Sequence, residues 1–81
     1  MSIQNILDDL KNGDFRVTRH GYLRMSERGV LYQDIESVGV TCTDWKKQPN
    51  QKFKVTGKDT VGDELTVICA YDGETLVITL F

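Results

Sequence analysis

Apolar residues recur at helical spacing as far as Gly39 and alternate with polar ones from there on. Ile3, Ile6, Leu7 and Leu10 fall on one narrow stripe, with Gln4, Asn5, Asp8, Asp9 and Lys11 opposite. That pattern predicts a short amphipathic helix over residues 2–12, with Ser2 as N-cap and Gly13 as stop. A helix of this length is not stable alone, so its stripe has to dock on something. Residues 14–17 read as a brief extended connector. Thr18 is an N-cap for a second helix over residues 19–28, which ends at Gly29 with Arg28 in the last turn, where a cation suits the helix dipole. Leu31, Ile35 and Val38 predict a third helix over residues 32–38, stopped by Gly39.

From residue 40 the period becomes two. Strands are expected from Val40 to Lys46, Lys52 to Gly57, Leu65 to Tyr71 and Leu76 to Phe81. Gln48-Pro49-Asn50 and Asp59–Asp63 are turns, and Asp72-Gly73 signals a tight two-residue hairpin. The last two strands are apolar on both faces, which predicts a central position or a covered outer face. The expectation is one α+β domain over residues 1–81: an N-terminal helix (1–13), a helical pair (14–39), and a four-stranded antiparallel meander (40–81) with the helices on one face. A chain of 81 residues leaves no room for a second domain.

Charge changes this picture in one respect. The formal net charge is −2, which argues against a dedicated nucleic-acid binder. The cations are clustered, however: Arg16, Arg19, Arg24 and Arg28 in the helical half, and Lys46, Lys47, Lys52, Lys54 and Lys58 in the sheet half. A basic face on an acidic protein is therefore open to it. Cys42 and Cys69 form no CxxC pair and read as buried thiols of a reducing compartment. Neither a signal peptide nor an apolar run of membrane-spanning length is recognisable, so the expected location is the cytoplasm. No cofactor or metal motif is recognised.

Candidate chemistry concentrates in the second helix. His20, Arg24 and Arg28 fall at i, i+4 and i+8, on one side within ~80° of arc. Tyr22 and Met25 lie opposite, and Gly21 removes bulk beside the strip. Guanidinium groups hold phosphate oxygens bidentately at any relevant pH, and a histidine moves protons near neutrality. Metal-independent phosphodiester cleavage needs little else. Lys58 adds a fourth cation at a strand end beside Gly57. Thr79 and Trp45, the latter with Lys46 and Lys47, are lesser candidates for hydrogen bonding and base stacking. The competing account makes the strip a solvated helix face, or pairs its arginines with Glu27, Asp34 or Glu36.

The run Val17-Thr18-Arg19-His20 through Leu23-Arg24-Met25-Ser26-Glu27-Arg28-Gly29-Val30 has the form Thr-x-His-x-x-x-Arg-Met-x-x-Arg-Gly-[Ile/Val]. With Asp34-Ile35, Gly57-Lys58-Asp59 and Val77-Ile78-Thr79 it resembles the domain-of-unknown-function family numbered four-two-five-eight, over roughly residues 14–81. That family is similar in layout to the ribonuclease toxins of bacterial toxin–antitoxin modules: the RelE-like, BrnT-like and MqsR-like proteins. The resemblance implies a RelE/barnase-like layout, RNA as a partner, cleavage without a metal, and neutralisation by an antitoxin protein. His20, Arg24 and Arg28 match the signature, and Lys58 the glycine-turn position. Two rival functions stand beside this one: a non-catalytic protein-binding module, and a phage or mobile-element accessory protein that inhibits a host enzyme.

Overall fold

The computed structural model describes residues 3–81. The expected cap at Ser2 lies outside them. Three helices, α1 (Ile3–Asn12), α2 (Arg19–Arg28) and α3 (Tyr32–Thr41), accompany five strands: β1 (Phe15–Val17), β2 (Asp44–Gln48), β3 (Lys52–Lys58), β4 (Glu64–Tyr71) and β5 (Thr75–Leu80). They form one sheet in the order β1-β5-β4-β3-β2. The fold class is α+β, but the sheet is five-stranded and mixed. The four expected strands are all present and each is antiparallel to the next in sequence; the connector at residues 14–17 is a fifth. It pairs parallel to β5, with Phe15, Arg16 and Val17 opposite Thr75, Leu76 and Val77. Three residues are too few to show a period of two, and their partner lies at the other end of the chain, so local pattern could not reveal the pairing.

The core fills the space between one sheet face and the pair α1 and α3. Ile6 and Leu10 of α1 meet Ile35 and Val38 of α3 and the inward residues Val55, Val67, Cys69, Val77 and Leu80 of the sheet, all fully buried. The outward residues of β3 (Lys52, Lys54, Thr56) are half-buried and alternate with buried Phe53, Val55 and Gly57. β4 is buried from Leu65 through Cys69, as its position between two partners requires.

Two expected boundaries move. Gly39 does not stop α3, which continues to Thr41, so the strand expected from Val40 begins at Asp44. A Cβ on Gly39 would lie 2.6 Å from the Lys11 amide nitrogen and 2.8 Å from the Leu10 Cβ. The glycine serves the close crossing of α1 and α3, and a glycine read only in sequence does not distinguish that from a stop. The hairpin after β4 has three residues, not two: Tyr71 pairs with Thr75, and the Asp72 amide donates to the Glu74 carbonyl at 2.9 Å. Gly73, at φ +70°, takes the left-handed position that such a loop needs.

Candidate functional site

α2 is built onto the edge of β5 where β1 ends. The Thr18 amide donates to the Val77 carbonyl at 2.9 Å, continuing the line of β1. Its hydroxyl donates to the Ile78 carbonyl at 3.0 Å and accepts from the Gly21 amide at 3.1 Å. One threonine therefore caps α2 and docks it on the strand. Gly21 allows the helix to come close, since a Cβ there would lie 2.8 Å from the Val77 oxygen and 3.2 Å from the Ile78 oxygen. One turn on, Arg24 donates from Nε to the Leu80 carbonyl at 3.3 Å. The open edge of β5 is thereby satisfied by a helix and an arginine instead of a further strand. Gly29 ends α2 in the left-handed region at φ +66°.

The strip His20, Arg24 and Arg28 thus runs along a helix that is fixed to the sheet. Arg24 is half-buried, and its Nη1 lies 3.6 Å from Glu27 Oε1, a loose and largely solvated pair. His20 and Arg28 are exposed, and neither side chain has a hydrogen bond or ion pair among the described residues. The competing account holds in part for Arg24, which pairs with Glu27 and holds the sheet edge. For His20 and Arg28 it holds in its other form, a solvated helix face, since both are exposed and neither meets a carboxylate among the described residues. Asp34 is committed elsewhere: it accepts from the Leu31 amide at 2.9 Å and from the Thr60 amide and hydroxyl at 3.0 and 2.7 Å.

Lys58 is not beside the strip in the sheet order. It ends β3, with β4 between it and the strand that carries α2. It is exposed and shares the outward parity of Lys52, Lys54 and Thr56. Thr79 is half-buried on β5, opposite Ile68. Trp45 is half exposed on β2, its ring centroid 6.3 Å from that of Phe53. Among the described residues no group of three or more His, Cys, Asp or Glu side chains could hold a metal ion, and no helix is long and apolar enough to cross a membrane.

Residues 17–81 match the family described as Domain of unknown function (DUF4258). The chain belongs to that family. The DUF4258 match takes in α2, α3, β2 to β5 and every candidate named above, and leaves out α1. No curated protein and no solved structure matches the chain.

Three concave regions lie outside the strip, the smallest of them, about 260 Å³, beside Lys47, Gln51, Phe53 and Tyr71. A groove of about 320 Å³ runs between α2 and α3, lined by Tyr22, Met25, Val30, Leu31 and Tyr32 among others. A cleft of about 520 Å³ opens on the sheet face away from α1 and α3, with Lys46, Lys54, Thr56, Thr66 and Phe81 in its lining. The strip was readable from its spacing. The cleft gathers residues from four segments of the chain, and its only trace in sequence is the alternation of Lys52, Lys54 and Thr56.

Proposed function

We propose that this chain is a toxin-like RNA-binding domain, and that α2 is the element that holds the RNA backbone. The supporting observation is that His20 and Arg28 stand unpaired on the strip whose middle member, Arg24, is anchored at the Leu80 carbonyl. A rigid helix presenting guanidinium groups a turn apart can take successive phosphate oxygens without reorganising. The finer reading is metal-independent cleavage at that strip. His20 accepts the proton of a ribose 2′-hydroxyl, the 2′-oxygen bonds to phosphorus, and the bond to the 5′-oxygen breaks. The leaving oxygen takes its proton from water, because the chain has a single histidine. Arg24 and Arg28 stabilise the charge of the pentacoordinate intermediate, and Lys58, placed two strands from β5, acts on a more distant part of the RNA. In this reading the domain works in the cytoplasm of a bacterium and is held in check by an antitoxin protein.

The test is induced expression in a bacterial host, with growth and RNA integrity followed for wild type, His20→Gln and Arg28→Ala. Growth arrest with RNA breakdown, lost in both variants while they remain folded, supports cleavage. RNA binding without breakdown reduces the reading to its binding part. No binding and no arrest removes it.

A second reading, a protein-binding module, is favoured by the groove between α2 and α3. Tyr22 is 58 % exposed and Leu31 62 % exposed there, which is unusual for large apolar side chains flanking one cavity. A partner retained through purification while RNA stays intact would favour it.

A further inference from the structure

The positive charge of this acidic molecule is segregated. Residues 44–58, the β2–β3 hairpin, contain five lysines and one aspartate, a net +4; the remaining residues hold five cations and eleven anions, a net −6. None of the five lysines makes an ion pair among the described residues, whereas Lys11, Arg16 and Arg24 all do. Lysines left unpaired on one hairpin of a chain rich in carboxylates form a local positive field.

The hairpin also borders the largest concavity described above. Lys46 stands opposite Lys54, and Lys54 opposite Ile68, so both ammonium groups rise from the face that α1 and α3 leave open. Beside them the Thr56 and Thr66 hydroxyls lie 3.0 Å apart. Phe81 closes the cleft. Its backbone is held at the end of the ladder by two hydrogen bonds to Thr66, each 2.9 Å, and its ring is 47 % exposed. The Lys54 Nζ lies 5.7 Å from the ring centroid. Thr43, Asp44 and Glu64 complete the lining. The two carboxylates disfavour a bare polyanion such as an acidic peptide. A single-stranded nucleic acid brings bases for the ring and hydrogen-bond donors for the carboxylates, besides its phosphates.

Resting on the RNA-binding reading, we propose that this open-face cleft is a binding site for a single-stranded RNA segment. A base stacks on Phe81, Lys46 and Lys54 take flanking phosphates, and the threonine hydroxyls meet the ribose. The cleft and the α2 strip lie at the same end of β5, since Arg24 holds Leu80 and the next residue is Phe81. One strand of RNA can pass from the strip around the sheet edge into the cleft. Single strands are selected because a duplex hides the face of its bases from the ring.

The experiment is fluorescence anisotropy with the full chain and a labelled single-stranded RNA of mixed sequence, repeated with the same RNA annealed into a duplex and with polyglutamate. The variants are Lys46→Ala/Lys54→Ala, Phe81→Leu and Arg28→Ala, each checked for folding by circular dichroism. Phe81→Leu keeps apolar volume at the ladder end while removing the ring. The expected result is single-strand binding in preference to duplex and polyglutamate. The lysine pair should weaken it at least tenfold and flatten the log–log salt slope by about 1.4, at about 0.7 for each phosphate no longer neutralised. Phe81→Leu should weaken it about tenfold with the salt slope unchanged. Wild-type binding that falls with Arg28→Ala and ignores the cleft variants overturns the cleft while keeping the RNA reading. Preference for polyglutamate or duplex also overturns the cleft. Absence of any RNA binding overturns both.

Discussion

Asp34 ties the start of α3 to the loop between β3 and β4. It reaches back to the Leu31 amide across the first turn of α3 and takes both donors of Thr60. The Leu31 amide holds its carboxyl below the ordinary value of 3.8; burial works against that shift, and the Thr60 hydroxyl and amide add to it. A carboxyl whose folded pKa is depressed contributes stability above its unfolded pKa and loses it as pH falls through the folded one. Asp34→Asn should therefore cost about 1–3 kcal/mol at pH 7, and urea titrations should show the gap to wild type closing below pH about 4. A gap independent of pH would assign the loss to geometry alone. The thiols make a second residue-scale prediction. Burial pushes the Cys69 thiol up to about 12, and it is fully shielded. A thiol reagent at pH 8 should leave Cys69 unlabelled in the folded chain and label it once urea unfolds the protein. The helical strip was legible at this scale because His20, Arg24 and Arg28 are local in sequence. The commitment of Arg24 to Leu80 was not, because that acceptor is 56 residues away.

Among elements, α2 and α3 show how close packing overrides local signals. Gly21 and Gly39 both sit inside helices, where each costs about 1 kcal/mol relative to Ala in an exposed position. Here the order should invert. A methyl at Gly39 meets the Lys11 backbone nitrogen at 2.6 Å, and one at Gly21 meets the Val77 oxygen at 2.8 Å. Backbone atoms give way only if a whole helix shifts, so Gly39→Ala and Gly21→Ala should each destabilise by about 1–3 kcal/mol in thermal or urea unfolding. Stabilisation by either change would mean that α1 or α2 is not seated as described. Gly21→Ala carries a functional readout too: a displaced α2 loosens Arg24 from Leu80, and RNA binding should weaken with the fold intact. The Asp72-Gly73 signal located its hairpin, but loop length follows from the pairing of Tyr71 with Thr75, set by the strands on either side.

At the level of the whole molecule, α1 lies outside the DUF4258 match yet supplies part of the core. Ile6 and Leu10 are fully shielded, and the Thr75 hydroxyl donates to Asp9. Removing residues 1–13 would uncover Ile35, Val38 and Val77, and the remaining chain should lose its cooperative thermal transition by circular dichroism. Ile6→Ala, a milder version, should cost about 2–5 kcal/mol. The amino-acid sequence by itself determined the class of each half, the existence of every helix, the four longer strands and the cationic strip on α2. Periodicity and caps are properties of neighbouring residues and survive without a partner. Tertiary structure alone decided that residues 15–17 are a strand, that α3 runs through Gly39, and that Lys46, Lys54 and Phe81 share one cleft. Each of those depends on a surface brought from a distant part of the chain, and no local pattern encodes the shape of a surface that forms only when the chain closes on itself.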